Sequence, residues 1–270
     1  MTLLTVKDLI ETRRSLSELE EKCLAATGLT PCELGFRAFG LAPVEISLRD
    51  KTKVACIPVT VGNGILGDFC YIVAEIIEQL ADVQATVTYS TDITGLEEAI
   101  WSGADVLFLA DDDTFVAYNT KTNVLSDNSI ATGRIFATVL DCAADSQDAE
   151  EMLVLGAGKV GLGAYSYLSG KGRSVRWFDA KLQTAAGFDP ALRCENWKNR
   201  SWKYLVDATT ASAFIESAHL AENSVVAAPG IPFGLNDEAV GRARLVFHDN
   251  LAMGVVAMLC QALGTPGKLG

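Results

Sequence analysis

The sequence predicts an α/β protein of two domains, an N-terminal helical segment with a small parallel sheet and a C-terminal doubly wound sheet. Two observations predict it: apolar runs of strand length alternate with amphipathic runs of helix length, and a charged connector separates two such series. Residues 6–27 set Leu9, Ile10, Leu16, Leu19, Cys23 and Leu24 at three- and four-residue spacings among charges, the pattern of a helix. A second short helix is expected over residues 31–39. From Lys53 the pattern changes: KVACIPVT is a continuous apolar run suited to a buried parallel strand, GNG at 62–64 is a turn, and GDFCYIVAEIIEQLA is an amphipathic helix. The strand QATVTYS, the helix GLEEAIWSGA and the strand DVLFLA complete a β-α-β-α-β order. SIATGRIFATVLDCAA, residues 129–144, has helical spacing, and DSQDAEE is a charged connector, which puts the domains at 1–146 and 147–270.

Composition narrows the function classes. Lys and Arg number 22 against 34 Asp and Glu, a net charge of −12, so the chain repels the phosphates of nucleic acid and anionic membranes and suits a small cationic substrate. No apolar stretch reaches the ~18 residues of a membrane span, and MTLLTVKDLIETRR lacks the basic-then-apolar order of a signal peptide, so a cytoplasmic protein is expected. Seven scattered cysteines without a C-x-x-C pair form no disulfide framework. With only His219 and His248 as histidines, no metal site is expected. Oligomeric state is not set by pattern, and a homo-oligomer is compatible with it.

The second series opens on EEMLVLGAGKVGLGAYSYLSGKGRSVRWFDA, in which an apolar strand runs into Gly156-x-Gly158-x-x-Gly161, a helix follows, and a second strand ends at Asp179. This is the dinucleotide-binding fingerprint of a Rossmann domain. Gly156 makes the tight turn, Gly158 admits a pyrophosphate, Gly161 permits close helix packing, and the helix N-terminus favours negative charge. Ala157, Lys159 and Val160 complete the loop, where Lys159 either touches a phosphate or faces solvent. Asp179 suits a ribose 2′-hydroxyl and repels a 2′-phosphate, so NAD is expected as cofactor. The strands KYLVDATT, SVVAAPGIP and ARLVFHD follow, then the helix LAMGVVAMLCQAL. Thr209, Thr210, Pro229 and Gly230, at strand C-termini, either meet the nicotinamide end or merely end their strands.

The acid run Asp111-Asp112-Asp113 after VLFLA reads from sequence either as a solvated turn or cap, or as a site. LLT at 3–5, PVTVGNGILGDF at 58–69, ADDDTF at 110–115, GAGKVG at 156–161, APGIP at 228–232 and HDNLAMGVVAML at 248–259 together resemble the dehydrogenases that complete pyrrolysine biosynthesis. That resemblance implies two domains and NAD-dependent oxidation of the terminal amine of 3-methyl-D-ornithyl-N6-L-lysine, an isopeptide, with ammonia release and closure to a pyrroline ring. It also implies that Asp111, beside Ala110, is the polar centre of the substrate pocket. Leu4 would close over the substrate, and Val59, Thr60, Asn63 and Phe69 would line the site. Two departures bear on selectivity: Val61 stands where some relatives carry serine, and Asp113 where some carry asparagine.

The chemistry fits such a role. Hydride leaves a carbon bearing nitrogen only with the help of the nitrogen lone pair, so an ammonium must first lose a proton, and a carboxylate such as Asp111 is a suitable acceptor. The plainer readings stay beside it: Asn63 can serve a left-handed turn, Phe69 the core, and His248 a packed position. Two other functions remain open. An amino-acid or shikimate-type dehydrogenase would carry a Lys/Asp pair in the first domain, where residues 50–128 hold only Lys51, Lys53 and Lys121. A non-catalytic NAD-responsive regulator would carry a partner surface instead of an acid-lined pocket.

Overall fold

A computed structural model describes residues 5–42, 51–61, 67–145, 150–181 and 185–266. Leu4 and Asn63, and the GNG turn at 62–64, lie outside them.

Two helices open the chain. Helix α1 (Val6–Thr27) starts from a capping box in which Asp8 N–H donates to Thr5 Oγ1 and Thr5 N–H to Asp8 Oδ2, and it ends at Gly28 with φ +73°. Helix α2 (Pro31–Phe39) repeats the device with Thr30, Glu33 and Pro31, and ends at Gly40 with φ +65°. On α1 the buried residues Leu9, Thr12, Leu16, Leu19 and Cys23 form the inward stripe. A short strand β1 (Leu41–Ala42) follows.

The first sheet contains β2 (Lys53–Ile57), β3 (Gln84–Val87), β4 (Val106–Ala110), β5 (Phe115–Asn119) and β6 (Leu125–Asp127), in the order β3-β2-β4-β5-β6. The first three are parallel, linked by α3 (Phe69–Ala81) and α4 (Asp92–Trp101). The last two return antiparallel, with Ala110 opposite Phe115. The sequence reading has no strand at β5 or β6, although Phe115, Ala117 and Asn119 alternate buried with half-buried neighbours.

Helix α5 (Asn128–Ala143) crosses to the second sheet, built from β7 (Met152–Leu155), β8 (Val175–Phe178), β9 (Trp202–Asp207), β10 (Leu220–Ala228) and β11 (Leu245–His248). All five are parallel, in the order β11-β10-β9-β7-β8. The order turns back between β7 and β9, and at such a point open α/β sheets bind ligands beyond the strand C-termini. Helix α6 (Lys159–Gly170) follows β7 and crosses α5 closely: a Cβ at Gly133 would stand 1.9 Å from Val160 O, and one at Gly163 2.4 Å from Ile130 O.

After the short helix α7 (Asp237–Arg242), α8 (Ala252–Leu263) returns to the first sheet, packing on α2, α3, α5 and β5. Asn119 Nδ2 donates to Ala262 O at 2.8 Å, Ser126 Oγ to Gln261 Oε1 at 2.6 Å, and β12 (Thr265–Pro266) pairs with β1. A division at residue 146 thus leaves the chain end in contact with the first unit. One buried apolar cluster joins residues such as Val54 and Phe108 to Val154 and Val225 through α5 and α8, while the far face of the second sheet has its own around Trp197 and Trp202.

Candidate functional site: a cleft between the two sheets

A cavity of about 290 Å³ opens where the C-terminal ends of the second sheet face α5 and α8. The glycine loop forms one wall. Gly156 has φ +92°, and a Cβ there would lie 2.5 Å from Ala208 O; at Gly161 a Cβ would lie 1.8 Å from Gly156 O. These two glycines are required by the backbone's own packing. Gly158 differs: a Cβ there would meet nothing within 4 Å, and the residue is exposed, lines the cavity and caps α6 without a side-chain hydrogen bond. The first N–H groups of α6 therefore face open space, which fits the phosphates of a dinucleotide.

The rest of the loop is held in place. Ala157 N–H donates to Asp179 Oδ2 at 2.7 Å and Lys181 N–H to Asp179 Oδ1 at 2.7 Å, so the acid ending β8 sits directly beside the glycine turn. Lys159 Nζ reaches across the cleft to Asp127 Oδ2 at 3.0 Å. Asp127 is also the cap of α5, its Oδ1 accepting from the N–H groups of Ser129 and Ile130. Val160 lines the cavity.

At the strand ends, Thr209, Thr210, Pro229, Gly230 and Ile231 line the same space. A Cβ on Gly230 would stand 2.4 Å from Thr209 O, so only glycine lets these two loops meet. Fully buried Asp207 organises them: Oδ1 accepts from Thr209 N–H at 3.1 Å and Thr209 Oγ1 at 2.8 Å, and its backbone O accepts from Gly230 N–H at 2.9 Å. Asp207 Oδ2 is buried against the backbone of Gly234, and burial pushes the carboxyl up to about 6. His248 sits at the end of β11, with Nδ1 2.6 Å from Ala228 O and its ring packed on Phe233.

The acid run is a hairpin turn. Asp111 N–H donates to Thr114 O at 2.9 Å, and Asp111 Oδ1 accepts from the N–H groups of Asp113 and Thr114 at 2.9 and 2.7 Å. The chain therefore reverses where a continued strand would have put Asp111 and Asp113 on one face. Asp113, not Asp111, lines the cavity. Ala110 and Phe69 are half-buried against the core, and the Phe69 ring meets Phe115 edge-on at 5.2 Å. Val59 is half-buried, while Thr60 turns to Asp92, donating N–H to Oδ1 at 2.8 Å and Oγ1 to Oδ2 at 2.6 Å. Of this group only Asp113 borders the cavity itself.

The cavity also holds residues the sequence reading passes over: Asn128, Ser129, Thr132 and Phe136 from α5, and Asp249, Asn250 and Gly254 around the start of α8. Asp249 Oδ2 accepts from the N–H groups of Leu251 and Met253 at 3.2 and 2.9 Å, and burial pushes the carboxyl's pKa up. Its signal was available, because Asp249 follows a strand end as Thr209 and Pro229 do. Asn250 Nδ2 reaches Asp8 Oδ1 at 3.4 Å, which ties the start of α1 to the cleft. Among the described residues no cluster of three or more His, Cys, Asp or Glu is arranged for a metal, and no helix is long and apolar enough to cross a membrane.

Two sheets joined by α5 and α8, with a glycine-loop cleft between them, place the chain in the fold class of the shikimate and quinate dehydrogenases. Shikimate 5-dehydrogenase from Thermus thermophilus, solved with shikimate, superposes with a TM-score of 0.51 at 16% identity, over 80% of this chain and 95% of that one. Quinate dehydrogenase from Corynebacterium glutamicum, solved with NAD, gives a TM-score of 0.51 at 14% identity, over 80% and 94%. Residues 8–126 match the family described as pyrrolysine biosynthesis protein PylD, N-terminal domain. The chain is 31% identical to the pyrrolysine synthase of Methanosarcina barkeri, across 97% of this chain and 98% of that protein. The chain belongs to the pyrrolysine synthase family, as its motifs led us to expect.

Proposed function

We propose that this chain oxidises the terminal side-chain amine of 3-methyl-D-ornithyl-N6-L-lysine in the last step of pyrrolysine formation, with NAD as cofactor. The observation that carries the reading is one cavity in which Asp113 and Asp249, suited to a cationic amine, face Gly158, Thr209 and Gly230, suited to a dinucleotide. The name of the Methanosarcina relative and the NAD in the quinate dehydrogenase support it.

Bound in the cleft, NAD supplies a hydride acceptor. The N–H groups at the start of α6 would hold its pyrophosphate, Asp179 its ribose hydroxyls, and Thr209, Thr210, Pro229 and Gly230 its nicotinamide end. The roles that the family motifs give Val59, Thr60, Phe69 and Ala110 require a substrate that extends from the cavity past Asp113 toward the first sheet; the same motifs assign Leu4 and Asn63 to substrate binding. Asp111, two residues before the cavity-lining Asp113, takes the ammonium proton of a substrate that extends past Asp113, and does so at Oδ2, since Oδ1 is engaged by the turn. Asp249 adds a buried carboxylate that favours a cationic group in the cleft. Loss of one proton and one hydride converts the CH2–NH3+ group to the protonated imine. Attack by the second amine of the methylornithyl group then closes the ring and expels ammonia.

A shikimate-type reaction is disfavoured by where the lysines stand. Lys53 N–H and Lys121 Nζ both meet Asp105, at the end of the first sheet away from the strand C-termini. The test is to incubate the protein with NAD and the isopeptide and follow NADH and product mass. Oxidation of simple diamines with the isopeptide untouched, or NAD binding without turnover of any amine, would sink the reading.

A further inference from the structure

The two faces of the first sheet are covered unequally. Helices α3 and α8 bury one face, with α1 and α2 packed behind them, while among the described residues the other face carries only α4, packed through Ala99 on a small cluster with Ala55, Ile57 and Leu107. Beside α4, over β4 to β6, lies an open groove of about 700 Å³ walled by Leu96, Leu107, Leu109, Val116, Tyr118 and Leu125. The outer side of α4 and the turn before it form an apolar ridge along that groove: Tyr89 is 97% exposed, Ile93 78%, Ile100 58% and Trp101 82%.

We propose that two copies of this chain associate through this face, the α4 ridge of each lying in the groove of the other. Ridge and groove are neighbours on one surface, so a two-fold axis between them brings each ridge over the partner's groove. The area is sufficient. Trp101 and Tyr89 each offer roughly 150–250 Å² to a partner. With Ile93, Ile100, Leu125 and the groove walls, the face approaches the ~800 Å² per copy of a stable interface. The charged residues lining the groove, Asp105 and Lys121, pair with each other at 2.5 Å, and Asp92 and Glu98 of the ridge helix are held by Thr60, Tyr89 and Ser90, so the exposed Glu97 is the charge each ridge brings to the interface. The interface also bears on the site, because Asp92 at the start of α4 holds Thr60 of the 58–61 loop.

Tryptophan fluorescence tests the contact directly. Of the four tryptophans Trp177, Trp197 and Trp202 are buried and Trp101 is exposed, so acrylamide quenching reports on Trp101. Sedimentation equilibrium should give twice the 28.8 kDa chain mass at micromolar concentration, with quenching falling as the dimer forms. Trp101→Asp and Ile100→Glu should each give a monomer with an unchanged circular dichroism spectrum. A wild type that stays monomeric, Trp101 quenching independent of concentration, a dimer indifferent to both substitutions, or a face covered only by some other protein would each overturn the proposal. Should the variants misfold, the wild-type quenching series still decides.

Discussion

Replacing Asp207 with asparagine should remove a specific part of the pH dependence of stability. The carboxyl is fully buried, and its pKa is raised from 3.8 to about 6 by burial, against the opposing hydrogen bonds from Thr209 and the Gly234 backbone. The folded chain thus holds this proton about two units more tightly than the unfolded chain, worth ~3 kcal/mol at most. Between those two pKa values the folded state binds more protons than the unfolded state. Stability contributed by the protonated form is therefore full below about pH 4, declines as pH rises, and is lost above about pH 6. Asp207→Asn keeps an oxygen acceptor for Thr209 and cannot titrate. Urea unfolding of both proteins from pH 4 to 8 should show the wild type losing up to ~3 kcal/mol more than the variant across this window. Equal slopes in the two proteins would refute the reasoning, whatever constant offset the substitution adds.

The remaining predictions separate backbone packing from chemistry. Gly133→Ala, which puts a Cβ 1.9 Å from Val160 O, should cost ~1–3 kcal/mol or more in thermal unfolding, whereas Gly158→Ala should leave the melting temperature unchanged and weaken NAD binding measured by calorimetry. Asp111→Asn retains the turn's acceptor oxygen and should lower kcat by about 10²- to 10⁴-fold with NAD affinity intact; unchanged turnover would remove Asp111 from the mechanism. Asp249→Asn should raise KM for the cationic substrate and flatten the acid limb of the pH profile, since the wild-type carboxyl is pushed up by burial and becomes an anion only above the ordinary carboxylate range.

Much of the architecture was legible because it is encoded locally. The helices at 6–27 and 31–39 are bounded by Thr-x-x-acid caps and glycines that act within a few residues, and the strand-glycine-helix unit at 152–170 follows from a short motif. Strands β5 and β6 were not legible because both reversals are made by side chains within polar runs that read equally as solvated loop: Asp111 Oδ1 accepts from the N–H groups of Asp113 and Thr114 before β5, and Asn119 Oδ1 from those of Lys121 and Thr122 before β6. The destination of α8 was equally hidden: its apolar sequence is compatible with either sheet, and the choice rests on partners such as Asn119 and Ser126, well over a hundred residues away.

The same division runs through the site. Local chemistry in the sequence determined the glycine loop, the acid after β8, the acidic balance of the chain and the motifs that mark its family. Only the tertiary structure decided that Asp113 borders the cavity while Asp111 ties the turn, and that α5 and α8 bring Asn128, Thr132 and Asp249 to the same space. A motif specifies backbone shape over a few residues, whereas a cleft is made by surfaces whose contact depends on how distant helices pack.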